Sequence, residues 1–103
     1  MIVKGWKASP DNRTGAGYGI RIAHKDRDQY FQRRWASVTI ELEDEETVDV
    51  NLSDSFWRSC SELRSARIGK WMLEHKLAPW PKGNPPKLRL EPVGERKFRL
   101  SRA

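Results

Sequence analysis

Cysteine and histidine are the side chains of this sequence that could hold a structural metal ion or perform covalent catalysis. Structural zinc usually takes about four Cys or His ligands, and the chain has one cysteine, Cys60, and two histidines, His24 and His75. A nucleophilic enzyme needs a base beside its thiol, and nothing in the spacing of Cys60 and His75 supports such a pair. The apolar positions around His75 instead indicate a histidine in or beside the core. We expect no metal site, no cofactor and no catalytic residue.

Carboxylates are concentrated in the middle of the chain, where residues 43–46 are all acidic and Asp49 follows. Carboxylates that converge on magnesium occur in nucleases, so an enzyme using Asp26, Asp28, Asp49 or Cys60 is our third interpretation. Adjacent acids at a hairpin tip point apart, however. A solvated turn that discourages edge pairing is the favoured reading of this segment.

The glycine-rich run Gly15-Ala16-Gly17-Tyr18-Gly19 has the composition of a loop that binds phosphate. Both nucleotide-binding fingerprints require a helix directly after the glycines, whereas the alternation from Tyr18 onward predicts a strand. We therefore expect a tight turn near Arg13 and Arg21, and its free backbone N–H groups could still contact a phosphate.

Basic residues interleaved with aromatic ones are the strongest functional signal. The chain has 20 Lys and Arg against 14 Asp and Glu, a net charge of +6. Residues 1–34 hold eight basic and three acidic residues, residues 35–62 one and eight, and residues 63–103 eleven and three. If the two ends meet in the fold, they form a cationic lobe that attracts polyanions. The candidate nucleic-acid-binding residues are Arg13, Arg21, Arg33, Arg34, Lys82, Lys87, Arg89, Lys97 and Arg99, and Trp80 is a candidate for stacking on a base.

The length of 103 residues predicts one domain spanning residues 1–103. A single cysteine excludes an intramolecular disulfide, which fits a reducing compartment. The sequence turns polar soon after its start, so we expect no signal peptide. No apolar run approaches the roughly 18 residues that span a bilayer. We predict a cytoplasmic protein without a membrane segment.

Period-two alternation predicts the strands. Strands are expected at 2–7 and 17–23, in a hairpin of 36–42 with 48–52, and in a second hairpin around 87–91 and 97–101. The outer face of the last hairpin is mostly cationic. Short helices are expected at 25–32, at a turn near 53–57, and at 66–77, where apolar residues recur at helical spacing. The order Ser59-Cys60-Ser61-Glu62 fits a capping box and predicts a helix start.

These elements predict an α+β fold. We expect a small β-rich open barrel or pseudo-barrel of about six antiparallel strands, with two to three short helices.

The order of features at residues 69–101 resembles the end of the DNA-binding pseudobarrel domains, a superfamily that includes plant transcription-factor domains and the effector domains of some restriction enzymes. The likeness is carried by a Trp-bearing helix, Gly69 to Leu77, a gap containing Gly83, and the closing strands Lys87-Leu88-Arg89-Leu90 and Lys97-Phe98-Arg99-Leu100. This resemblance implies a seven-stranded barrel sealed by two helices that grips the DNA major groove with two basic arms.

Two functions from different classes are consistent with the sequence. The first is a non-catalytic domain that binds duplex DNA through one cationic face. The alternative is a protein-interaction or accessory module, which could self-associate, with no role in nucleic-acid binding.

Overall fold

Seven strands and three helices make up the fold in the computed structural model, which describes residues 1–8 and 10–103. The strands are β1 (Ile2–Lys7), β2 (Tyr18–Arg21), β3 (Ser37–Glu41), β4 (Thr47–Asn51), β5 (Glu62–Arg64), β6 (Lys87–Gly94) and β7 (Lys97–Arg102). The helices are α1 (His24–Tyr30), α2 (Asp54–Trp57) and α3 (Ala66–Glu74). The α+β class, both hairpins and three short helices are thus as predicted.

The strands form one sheet in the order β4-β3-β7-β6-β1-β2-β5. The prediction of about six strands, all antiparallel, was wrong on both points. The sheet has a seventh strand, β5, and it is mixed because β3 and β7 pair in parallel. Two strands this far apart in sequence can run parallel because the chain crosses the barrel between them through α2, β5 and α3.

The sheet curls around a core of inward-facing residues from alternate strand positions. Val3, Ile20, Ile40, Leu88 and Leu100 are almost completely buried, while their neighbours along each strand face outward, as the pleat requires. The edge strands β4 and β5 approach one another without forming a ladder. A polar cleft between them, lined by Asp49, Asn51, Ser53, Glu62, Arg64 and Ser65, leaves the barrel open along one seam.

Helix α3 begins at Ala66 and is capped by Ser65, whose side chain accepts a hydrogen bond from the Ile68 N–H. The predicted capping box at Ser59–Glu62 was wrong, because Glu62 starts strand β5. The buried face of α3 carries Ile68, Trp71 and Met72, as its spacing predicts, and the helix ends at Glu74 rather than Leu77. Gly69 brings α3 against the glycine run, since a Cβ there would lie 2.2 Å from the Gly15 carbonyl oxygen.

Helices α1 and α2 cover a different part of the core through an aromatic cluster. Phe31, which follows α1, stacks on Phe98 of β7 at 4.6 Å and lies 5.2 Å from Phe56 of α2. The buried Arg27 donates hydrogen bonds to the carbonyls of Phe56 and Arg58, which fixes α2 against α1. No helix among the described residues is long and apolar enough to cross a membrane.

Candidate nucleic-acid interface

Three cations lie side by side on the outer face of the sheet. Arg21 of β2 is opposite Lys4 of β1, and Lys4 is in turn opposite Lys87 of β6. Directly opposite residues on neighbouring strands point to the same face with their Cβ atoms about 5 Å apart, and like charges placed so destabilise a sheet. We call Arg21, Lys4 and Lys87 the cation row. Lys4 and Lys87 have no ion-pair partner within residues 1–8 and 10–103.

A stacked arginine lies beside the cation row. Trp6 of β1 faces Gly19 of β2, and Gly19 faces Arg64 of β5. Because Gly19 has no side chain, the Arg64 guanidinium reaches across it to lie 4.8 Å from the centre of the Trp6 ring. This contact holds the guanidinium over an aromatic face, with more than half of the Arg64 side chain still exposed.

Glu62 is the acid that partly offsets these charges. Its side chain is only 3 % exposed and accepts hydrogen bonds from Arg21 Nε at 3.3 Å and Arg64 Nη2 at 3.2 Å. One carboxylate therefore orients two arginines, and their remaining N–H groups face solvent. This shared pairing leaves an excess positive charge on strands β5, β2, β1 and β6, which we call the cationic half.

Further basic residues extend the cationic half. Arg89 lies opposite Ile2, two residues along β6 from Lys87, and its nearest acid is Glu91 at 4.0 Å. The exposed Arg13 belongs to the connection between β1 and β2, and the exposed Lys82 belongs to the loop that contacts β1 through the Gly5 N–H and the Pro86 carbonyl. Neither side chain has an ion pair in the described part of the chain.

On strands β4, β3 and β7, which we call the paired half, the cations meet acids instead. Arg99 lies between Glu91 of β6 and Glu41 of β3, and it forms a short ion pair with Glu41. Lys97 Nζ is 3.5 Å from the same carboxylate. Two of the predicted binding residues, Lys97 and Arg99, therefore share Glu41 as an ion-pair partner, and Arg99 has a second acid, Glu91, opposite it.

The acidic segment that follows β3 binds two more arginines. Arg102 donates to Glu43, and this hydrogen bond lowers the pKa of Glu43, against an opposing effect of burial. Arg67 of α3 lies 2.7 Å from Asp44 and 2.6 Å from Glu46. Burial acts to lower the pKa of Arg67, but its hydrogen bonds to Glu46 and Asp44 outweigh burial and raise it. The acidic turn thus binds cations of this same chain.

The other predicted residues lie on different surfaces. Arg33 stacks over Trp57 at 5.0 Å, and Arg34 bonds Gln32 and Glu95. Trp80 is half-buried, because its ring packs edge-on against Tyr18 at 5.7 Å and lies close to Gly5. Lys7 Nζ lies 5.6 Å from the centre of the same ring. Because these contacts cover much of the ring, only part of Trp80 is accessible to a ligand.

The glycine run packs against α3, and several of its backbone donors already have partners. The N–H groups of Thr14 and Gly15 donate to Asn12 Oδ1, that of Ala16 donates to Thr14 Oγ1, and that of Tyr18 donates to the Gly15 carbonyl. Gly15 has a φ of 86°, a left-handed conformation that favours glycine. These four donors make hydrogen bonds within the loop and are not free to bind a phosphate.

The structure brings Arg21, Lys87 and Arg89 together on one face and adds Lys4 and Arg64 to them. Lys4 is not among the candidates that the sequence predicts, although the alternation of β1 turns it outward. Arg64 is not predicted at all, because the capping-box pattern at Ser59–Glu62 indicates a helix start where strand β5 lies.

The chain matches no family model, no curated protein and no solved structure. Within residues 1–8 and 10–103, no group of three or more His, Cys, Asp or Glu side chains is placed to hold a metal ion.

Proposed function

We propose that this chain binds duplex DNA through the cationic half, with little or no dependence on base sequence and without catalysis. The observation that carries the proposal is the cation row, in which three like charges face one another across neighbouring strands. Such an arrangement costs folding stability. A polyanion laid across the row relieves the repulsion and releases counterions from its phosphates.

The relation to the DNA-binding pseudobarrel domains is part of the same proposal. It is supported by the seven strands of the open sheet and by helices packed at two separate parts of the core. The basic side chains that we assign to DNA differ from the sequence-based list. We propose Lys4, Arg21, Arg64, Lys87 and Arg89 as phosphate contacts, with Arg13 and Lys82 on the flanking loops.

The test compares two double variants that each remove two charges. Lys4→Gln with Lys87→Gln acts on the cation row, and Lys97→Gln with Arg99→Gln is the matched control on the paired half. Binding to a short labelled duplex is followed by fluorescence anisotropy between about 50 and 200 mM salt. The first variant should reduce the log-log salt slope by about 1.8 and the affinity near 0.1 M salt roughly sixtyfold, since each phosphate contact contributes about 0.9.

The control should change affinity less than about threefold, because Lys97 and Arg99 share Glu41 and neither is among the proposed phosphate contacts. Equal losses from the two variants would contradict the assignment of the face. Binding of a partner protein that persists in high salt and in the presence of nuclease would favour the alternative, a protein-interaction module.

A further inference from the structure

A cavity of about 420 Å³ opens beside the cation row. It lies where the start of β1, the end of β2 and the segment leading into β5 meet. Its volume falls within the range of pockets that enclose small organic ligands. The cavity borders the core, since Val3 and Ile22 line it and also belong to the core cluster.

The walls of the cavity combine apolar and polar side chains and are held in place by hydrogen bonds to the backbone. Ile2, Ile22 and Ala23 contribute hydrocarbon surface, and Ile2 is 49 % exposed. The Ile22 N–H donates to the Ser61 carbonyl, and the Ser61 hydroxyl donates to the Ile22 carbonyl. This reciprocal pair ties β2 to the opposite wall, so the cavity is formed before any ligand arrives.

The rim of the cavity carries positive charge. Lys4 and Arg21, two members of the cation row, line it together with His24 and with Glu62, the carboxylate that pairs with Arg21. The side chains of Lys4 and His24 have no hydrogen-bond or ion-pair partner among the residues that the structure describes, and more than half of the Arg21 side chain is exposed. A cleft with apolar surface inside and cationic side chains at its mouth suits a ligand with a flat apolar body and an attached anion.

A nucleotide has such an apolar body and an attached anion, and DNA bound to the cation row would bring nucleotides next to the cavity. We infer that the cavity receives a single nucleotide, with its base against Ile2 and Ala23 and its phosphate between Lys4 and Arg21. The nucleotide can come from a duplex, as a base turned out of the stack, or from solution as a free monophosphate. For the duplex source the inference rests on the proposed function.

Two readouts report occupancy directly. The fluorescence of 2-aminopurine rises when the base leaves its stack, so duplexes carry this probe either in a mismatch or in a matched pair. Cys60 lines the cavity and is the single thiol of the chain. The rate at which Cys60 reacts with an aromatic disulfide reagent therefore measures access to the cavity.

The mismatched duplex should give a fluorescence rise, bind roughly tenfold more tightly than the matched one, and slow the reaction of Cys60, because a mispaired base costs less to unstack. Ala23→Phe fills the cavity without removing a charge. It should abolish the fluorescence rise while leaving matched-duplex affinity within about threefold. Ala36→Phe, at an exposed position before β3, is the control and should behave as the unchanged protein.

The outcomes separate the two proposals. Salt-dependent duplex binding without a fluorescence rise or Cys60 protection would overturn the nucleotide site and leave the proposed function standing. Protection of Cys60 by 2-aminopurine monophosphate without duplex binding would support the cavity as a site for free nucleotides and reject DNA binding. Protection by neither ligand would reject the nucleotide site.

Discussion

Lys4 and Arg99 occupy similar positions on the outer face of the same sheet, but their surroundings are opposite. Lys4 lies between Arg21 and Lys87, whereas Arg99 lies between Glu91 and Glu41. The paired half uses its cations to hold strands, turn and helix together. The cationic half keeps its cations exposed at a cost in stability. The difference shows that the neighbours across the strands, rather than the number of basic residues, decide which cations can bind a polyanion.

Removing the acid that pairs with the cations of each half should give the largest difference in duplex affinity between the two halves. Glu62→Gln removes the carboxylate that pairs with Arg21 and Arg64, and Glu41→Gln does the same for Lys97 and Arg99. We expect Glu62→Gln to raise duplex affinity roughly tenfold near 0.1 M salt, as one more phosphate contact would. Glu41→Gln should change it less than about twofold, because Lys97 and Arg99 are not among the proposed phosphate contacts and Glu91 still lies opposite Arg99.

Fluorescence anisotropy measures both affinities under the same conditions. A larger gain from Glu41→Gln than from Glu62→Gln would reverse the assignment of the two halves.

A cation that is paired with acids should contribute to stability and not to DNA binding. Arg67 joins α3 to the acidic turn through Asp44 and Glu46 and is one quarter exposed. Arg67→Met should lower the free energy of unfolding by about 1 kcal/mol and Tm by roughly 5 °C, with duplex affinity nearly unchanged. Thermal denaturation checks this.

Lys70→Met is the matched control on the same helix, because Lys70 is exposed and forms no ion pair in the described chain. The distinction between paired and binding cations fails if the two variants have the same Tm or if Arg67→Met weakens DNA binding.

The smallest effect expected is a pH dependence at the paired half. Hydrogen bonds from Arg102 hold the pKa of Glu43 below its ordinary value of 4.5 in the folded chain. The resulting stability is therefore fully present above that value and is lost as the pH falls through the lowered pKa. Glu43→Gln should lower Tm slightly at neutral pH, and the difference should vanish in acid. A Tm difference that is constant from neutral to acidic pH would exclude this ion pair as its cause.

The local sequence pattern was sufficient to predict most of the strands, but it did not predict how they pair in the sheet. The alternation of apolar residues predicted β1 and both hairpins, because each has one buried face. It missed β5, whose three residues are too short to show a period and follow a sequence that imitates a helix cap. The parallel pairing of β3 with β7 depends on long-range packing, which local periodicity does not encode.

The same limit explains the candidate site. Outward register predicted Arg21, Lys87 and Arg89, since strand alternation alone turns them to solvent. It could not predict that Glu41 pairs with Lys97 and Arg99, because those contacts exist only once β3 and β7 are paired. Arg64 was missed together with the strand that carries it.

The central place of β7 in the sheet has a consequence for how the chain folds. β7 follows every other strand in sequence, yet it joins β3 to β6. The β3–β4 hairpin can form early from local contacts, but it stays detached from the remaining strands until β7 arrives. Contacts between distant parts of a chain slow folding, so we expect barrel closure to be the late and rate-limiting event.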